Sequence, residues 1–440
     1  MIVERWRIFL FLLVFFATFK ASSNEEWWDV VKFGTETEVV ALIQKLKTDA
    51  AYSGELDSEF IDLTRNTKNQ KILAGLLSFF GSKGKDELED KALSILENRE
   101  SESSETISAA VDYLGKIKAR KAVSVLKDVI DNGLPDFRGP SIRALGKTVD
   151  KDNAEDIAAY LIDLYENRDP GPGNNGVLIE ALGETGCKSV TSFLTNIVEN
   201  TDESSSLRIA AIDALTKIGD GLDAITTAVS AQEPLVRTAA VGALAVFSGA
   251  QVDDTIIENF RDSFFRVRVA AAKSAGRRKL VSAVPYLKYR AEKDEALVVK
   301  EESVKALGEI GDTFAIDALE ALFKESRNPD KIRILAAETL LNNKLDTYLG
   351  TIIAAMDDAQ KKRQNALYNG FLRLLSTAKS NKLEELARRF FATGGAPEKS
   401  CAIDITLNNK FYSLKDRVAT LTDKKNGALA VKAENALANL

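Results

Sequence analysis

Leu207-Arg208-Ile209-Ala210-Ala211-Ile212-Asp213-Ala214-Leu215-Thr216-Lys217-Ile218-Gly219-Asp220 is the stretch from which the fold is read. Its apolar residues Ile209, Ala210, Ile212, Ala214 and Leu215 recur at the spacing of one helix face. Gly219 suits the left-handed end of a helix. The pattern returns as FRGPSIRALG (137–146), NNGVLIEALG (174–183), VRTAAVGALA (236–245), VRVAAAKSAG (267–276), VKEESVKALG (299–308) and IRILAAETLL (332–341). These segments end on apolar anchors at Leu145, Leu182, Leu215, Leu244, Ala275, Leu307 and Leu340, so successive steps are 37, 33, 29, 31, 32 and 33 residues. Seven residues before each anchor stands Arg138, Asn175, Arg208, Arg237, Arg268, Lys300 or Arg333. Five residues after Leu145, Leu215 and Leu307 come Asp150, Asp220 and Asp312.

A second apolar helix follows each break, as in Ala315–Phe323, and a polar turn such as Ser326–Asp330 closes the unit. Each unit is therefore two antiparallel helices in about 32 residues. Its alanines let neighbouring helices approach to about 8–10 Å. One hairpin cannot cover its own apolar face, so the units must stack. Weaker copies lie at 73–81, 108–115, 366–374, 401–407 and 433–437. The expected fold is all-α, a right-handed α-solenoid of stacked antiparallel helix pairs with about 11–12 repeats. Residues 24–104 are expected to form a divergent N-terminal cap and first repeats, 105–345 the regular repeats, and 346–440 degenerate C-terminal repeats and a cap.

The 440 residues are 45% hydrophobic and 28% charged, with a net charge of −6 and no histidine. Without an imidazole there is no Ser-His-Asp or Cys-His nucleophile, no His-ligated zinc and no His-held haem. Two cysteines, Cys187 and Cys401, are too few for a disulfide framework or a thiolate metal site. Seven anchor steps separate them, too far for a bond that needs Cα atoms within about 7 Å. They read as small buried hydrophobes. Adjacent acidic pairs such as Glu301-Glu302 and Asp253-Asp254 point in different directions on a helix and read as solvated.

The repeat resembles the HEAT repeat in its short bacterial form, also seen in phycobilisome lyase-like proteins. The resemblance rests on 207–220, 236–244, 267–276 and 299–312 and is clear over 137–341. It implies that Arg208, Arg237, Arg268, Asp220 and Asp312 tie adjacent repeats together. It also implies a scaffold for other proteins. The family includes phycobilin lyases, a di-iron hydroxylase and an alkylpurine DNA glycosylase. The hydroxylase relies on His-Glu pairs that this chain lacks, and nothing here speaks for a lyase's chromophore. The expectation is a non-enzymatic binding module with no catalytic residues, cofactor or metal; the alternative is an accessory subunit or lyase-like component acting on a protein client.

Arg5 and Arg7 precede an apolar run, Ile8–Phe19, and small residues at Ala21 and Ser23. Such a run spans about 18 Å as a helix, short of the roughly 30 Å hydrocarbon core. Residues 1–23 therefore read as a signal peptide, leaving no transmembrane span after cleavage. Lys20 keeps a membrane tether by an uncleaved signal as the alternative. No Asn-x-Ser/Thr acceptor occurs. With so few cysteines, this favours export to a bacterial periplasm or envelope.

Charge is uneven. Residues 24–110 hold 18 acidic against 10 basic side chains, whereas 258–290 hold nine basic residues against Glu258 and Asp262. Arg266, Arg277, Arg278, Lys279, Lys288 and Arg290 are the candidate basic patch for an acidic protein or anionic envelope polymer. A second cluster comprises Lys361-Lys362-Arg363 and Arg388-Arg389. No nucleic-acid partner is expected: the chain is acidic overall, and only Phe264-Phe265 and Tyr286-Tyr289 interleave with the arginines. Trp27-Trp28 reads as an N-terminal cap. The segments 166–176 and 394–397, rich in Pro and Gly, read as breaks without chemistry.

Overall fold

A computed structural model describes residues 26–168, 171 and 173–440. The signal-peptide reading of 1–23, and Asp169, Pro170 and Pro172 of the Pro/Gly insert, lie outside the described residues. Among the described residues every regular element is a helix and none is a strand. The chain divides into two compact units, one ending at Ala224 and the other beginning at Ile225.

In the first unit the leading helices of the repeats are Glu36–Thr48, Gln70–Lys83, Ser104–Lys116, Pro135–Lys147, Asn174–Thr185 and Ser205–Ile218. They pack side by side in chain order. Each returning helix, such as Val123–Asn132 or Thr191–Glu199, packs against the leading helix that follows it. In the second unit the leading helices are Pro234–Ala243, Phe265–Arg277, Leu297–Ile310, the first half of Asp330–Lys361, Asn365–Thr377, Ala396–Asn409 and Ala428–Asn439. Each unit is a stack of antiparallel helix pairs, the solenoid architecture expected from the repeat.

All seven anchors, Leu145 to Leu340, are fully buried. They face the returning helices, whose own anchors Leu126, Leu161, Leu194, Leu287 and Leu319 are equally buried. The anchor motif has a second feature. The glycine after the anchor in one repeat lies against the alanine before the anchor in the next. A Cβ on Gly115 would come within 3.0 Å of the Ala144 Cα, on Gly146 within 3.0 Å of the Ala181 Cα, and on Gly183 within 2.8 Å of the Ala214 Cα. In the second unit a Cβ on Gly276 would meet the Ala306 Cα at 3.0 Å. A backbone atom obstructs in each case, which no rotamer change relieves, and at Gly276 the Glu309 carboxylate lies nearer still, at 2.5 Å.

Leading helices end on left-handed glycines where the sequence reading placed them, Gly219 at φ 73° and Gly311 at φ 65°. The repeat after Leu340 has no such glycine. There the two helices run together as Asp330–Lys361 with one non-helical residue, Lys344, at φ −146° and ψ 66°. The Gly394-Gly395-Ala396-Pro397 segment is an ordinary turn from a returning to a leading helix, with Pro397 in the first turn. Trp28 donates its indole N–H to Glu59 at 3.0 Å, and Lys32 lies 4.4 Å from its ring centre.

Gly183→Ala should lower stability by about 1–3 kcal/mol, as overpacking does. Alanine ordinarily favours a helix interior over glycine by about 1 kcal/mol, so denaturant unfolding that shows a gain would disprove the close-approach account.

Candidate functional site

Charge on a repeat surface can hold the stack together or remain available to a partner, and the structure separates the two. Arg237, in the first turns of Pro234–Ala243, forks onto Asp262 at 2.8 and 3.1 Å and donates to the Ala231 and Gln232 carbonyls at 2.9 Å. Arg268, one repeat on, forks onto Asp294 at 2.8 and 2.7 Å and donates to the Asp262 and Ser263 carbonyls. Each arginine thus bridges two successive turns between returning and leading helices. At the same register Arg138, Arg208 and Arg333 donate to the carbonyls of Ile130, Val198 and Phe323, and Lys300 to that of Glu292. These carbonyls lie at or just beyond the ends of the preceding returning helices, where unpaired oxygens and the helix dipole favour a cation.

The inter-repeat role inferred for Arg208, Arg237 and Arg268 is therefore a strut along one edge. The aspartates that complete it differ from those expected. Asp262 and Asp294, in the turns themselves, receive Arg237 and Arg268. Asp150 and Asp220 reach the preceding repeat through Arg120 and Thr191, while Asp312 caps its own helix through the Ala315 N–H. Burial alone would raise the Asp294 carboxyl, but the Arg268 bonds, the Ala296 N–H and Arg290 outweigh it and hold the group below the ordinary carboxylate range. Asp262 is lowered in the same way, against its burial, by Arg237 and the Phe264 N–H.

The six residues of the candidate basic patch do not lie together. The helix Phe265–Arg277 puts about 18 Å between its ends. Arg266 lies at one end, and Arg277, Arg278 and Lys279 at the other. Arg278 is engaged with Asp253 at 2.9 Å. Lys279 follows the helix end in the left-handed region at φ 52°, with an exposed side chain. Lys288 and Arg290 are half-buried on the returning helix Val284–Lys293.

One member of the patch joins residues outside it to form a site. Arg290 lines a surface groove of about 420 Å³ with Phe260, Arg261, Pro285, Tyr286 and Tyr289. Pro285, Tyr286, Tyr289 and Arg290 share one helix face by their spacing. The Tyr286 ring stacks on buried Phe260 with centroids 6.1 Å apart and planes at 15°. Tyr289 is 58% exposed, with the Arg290 guanidinium 5.6 Å from its ring centre. Arg261 is exposed and has no ion-pair partner among the described residues. It also borders a second groove of about 540 Å³ that contains the Arg237–Asp262 pair and Glu258. The first groove therefore offers the exposed Arg261 guanidinium, that of Arg290, which also reaches Asp294 at 3.4 Å, a phenol and stacked rings, with no carboxylate in its lining. It suits an anionic, partly apolar ligand surface. Phe260 and Pro285 were not legible as site residues, because their positions follow from packing between successive returning helices.

Among the described residues no group of three Cys, Asp or Glu side chains is arranged to hold a metal. Nor is any helix among them long and apolar enough to cross a membrane. Cys187 and Cys401 are free and buried. Burial pushes the Cys401 thiol up to about 12, the range of an inert packing group.

Residues 31–436 match the family described as Spirochaete HEAT repeat protein. No curated protein matches the chain. Among solved structures the chain is similar to the karyopherin Kap121p bound to the extreme C-terminus of the protein phosphatase Cdc14p, at 13% identity and a TM-score of 0.46 over 93% of this chain and 53% of that one. It is similar to YibA of E. coli at 16% identity and a TM-score of 0.34, over 68% and 95% of the two chains. Human deoxyhypusine hydroxylase in complex with glycerol matches at 17% identity and a TM-score of 0.27, over 60% and 99%. The chain spans about half the length of the karyopherin structures. Likeness at this level transfers neither partner nor activity.

Arg268→Met should cost up to about 3–5 kcal/mol, because it removes the forked partner of the fully buried Asp294 carboxylate and leaves it only Arg290 at 3.4 Å. The sign with pH follows from the lowered Asp294 group. Its contribution in the wild type is complete above about pH 4 and is lost as the pH falls further. The deficit of the variant should therefore narrow between pH 7 and pH 3.5 in urea unfolding; a constant deficit would exclude the ion pair as its cause. Lys279→Gly should raise stability by about 0.5–1 kcal/mol, since relief of the left-handed backbone exceeds the entropy that glycine adds to the unfolded chain. A lower thermal midpoint would contradict that assignment.

Proposed function

We propose that this chain, which belongs to the Spirochaete HEAT repeat protein family, is an exported, non-enzymatic scaffold that binds an acidic protein surface through the Arg261–Tyr289–Arg290 groove. The family membership and the stacked helix pairs make it a HEAT-repeat scaffold in architecture. A stack of this kind presents long ribbons of side chain, because each repeat contacts only its neighbours. The observation that carries the reading is the difference between engaged and available charge in repeats 234–310. Arg237, Arg268 and Arg278 are tied to aspartates, whereas Arg261 is exposed beside an exposed tyrosine.

Export is supported by the basic start and short apolar run of residues 1–23. A spirochaete family accords with a bacterial envelope. In that compartment a groove with two arginines steers an anionic partner by an attraction that salt screens over about 10 Å.

The test is capture from native envelope extract by the tagged protein and two variants. Arg261→Glu with Tyr289→Ala should reduce recovery of a saturable partner about tenfold at low salt, the equivalent of 1.4 kcal/mol. Arg277→Glu with Lys279→Glu, at the opposite edge, should leave it within about twofold. Equal recovery by the groove variant, with an unchanged melting temperature, would remove the groove from the function.

A further inference from the structure

The strut register changes character after Arg333. Tyr368 is the fourth residue of its leading helix, as Arg237, Arg268 and Arg333 are of theirs. Its hydroxyl donates to Oε1 of Glu398, in the first turn of the next leading helix. Gln360 Nε2 donates to the same oxygen at 3.3 Å. Burial, and then the Glu398 carboxylate, raise the phenol's pKa, so Tyr368 stays a neutral donor. The cation of the strut is thus gone while a carboxylate remains. Asp262 and Asp294 each receive a forked arginine. Glu398 is only 8% exposed and has no ion-pair partner among the described residues. A buried carboxylate without a counter-ion is costly, and the helix N-terminus that carries this one offsets part of that cost.

The free half of that carboxylate opens on a groove. Glu398 Oε2 accepts no hydrogen bond among the described residues and is not enclosed, and its residue lines a groove of about 320 Å³. Gly395 lies at the mouth. Its φ of −74° belongs to extended backbone that any residue adopts. A Cβ there would meet Glu398 Oε2 at 3.1 Å and, beyond its chain neighbours, only Pro397 Cδ, at 3.8 Å. Neither backbone nor packing calls for glycine at 395, and its effect is to leave that oxygen accessible. The other charges of the lining define the ligand. Asp357 and Arg389 close on each other at 2.8 and 2.9 Å, with the guanidinium 5.5 Å from the Phe390 ring centre. Lys361 is exposed, and no ion pair joins it to Glu398 or to any other described residue. One carboxylate oxygen and one ammonium group therefore remain in the groove, unpaired. We propose that this groove binds a small zwitterion of amino-acid or short-peptide type, its ammonium group on Glu398 Oε2 and its carboxylate on Lys361. A lone cation would be opposed by Lys361 and a lone anion by Glu398; a ligand with both charges is opposed by neither. This site goes beyond the scaffold reading above and does not depend on it.

The probes are glycine, diglycine and triglycine, whose end charges move apart by about 3.3–3.6 Å with each residue added. Each is titrated by calorimetry into the full chain, beside its N-acetyl and C-amide forms. At least one member should bind saturably, and loss of either end charge should weaken it at least about tenfold, or 1.4 kcal/mol. Glu398→Gln, which keeps an acceptor for Tyr368, and Gly395→Ala, which narrows the mouth, should each lose binding to a similar degree with an unchanged melting temperature. Should Glu398→Gln melt early, Gly395→Ala carries the test. Lys361→Ala should weaken the zwitterion and leave the C-amide form within about twofold. Absence of saturable binding by all three probes would overturn the proposal. So would equal binding of the N-acetyl or C-amide forms, or undiminished binding by Gly395→Ala. Tighter binding by Lys361→Ala would make Lys361 the resident counter-ion of Glu398 and overturn it as well.

Discussion

Where a glycine follows the anchor, the distance between successive leading helices is set by an absent side chain. Where Gly183 meets Ala214, or Gly276 meets Ala306, backbone lies close to backbone, and one methyl group would force the helices apart. Everything at the edge of the stack depends on that separation. An arginine four residues into one helix reaches the aspartate of the next turn because that turn is only one close helix spacing away. The Arg268–Asp294 fork, with bonds of 2.8 and 2.7 Å, closes across the seam where Gly276 meets Ala306. Apolar anchors drive the stacking, since their burial is the largest favourable contribution. The glycine–alanine seam fixes its pitch.

The struts also explain why a run of basic residues is a poor guide to a binding face. Residues 258–290 look like one cationic segment when read as a line. Folded into a leading and a returning helix, the segment sends its charges to two edges and to the interior. Arg268 is buried against a carboxylate that is itself wholly buried, and Arg278 is held by Asp253. Surface charge in such a protein is thus decided by pairing as much as by composition. Arg261 and Arg266, exposed and without an ion-pair partner among the described residues, flank a single turn, while exposed Lys273, Arg277 and Lys279 lie further along the helix Phe265–Arg277 and just past its end.

Much of the fold was legible because its determinants are local and repeated. The Leu145 to Leu340 anchors, the six basic registers and the glycines at 219 and 311 each correspond to what the structure shows. The partners of the arginines were not legible, because Asp262 and Asp294 lie in turns whose position relative to a strut depends on the length of the returning helix. Asp312 has the right spacing from its anchor, yet its carboxylate is occupied by the first turn of its own helix. The kinked junction at Lys344, where two helices meet without a turn, escaped the pattern because Asn342-Asn343 replace the glycine that ends other leading helices. The groove was half legible: Tyr286 and Tyr289 announce themselves as aromatics among arginines, but Phe260 joins them only through the packing of neighbouring repeats.

In a repeat protein the positions that the fold needs recur, so positions that vary between repeats without structural consequence are where function can be written. The two residues before the strut meet that description. Serines, an Asp-Lys pair and exposed hydrophobics all start a leading helix there, and the helix, its strut and its anchor form alike in each case. Leu235, Phe265, Leu297 and Val298 leave between 37% and 48% of their surface in water at these positions, so the stack accepts partly exposed apolar side chains there as readily as serine or an Asp-Lys pair.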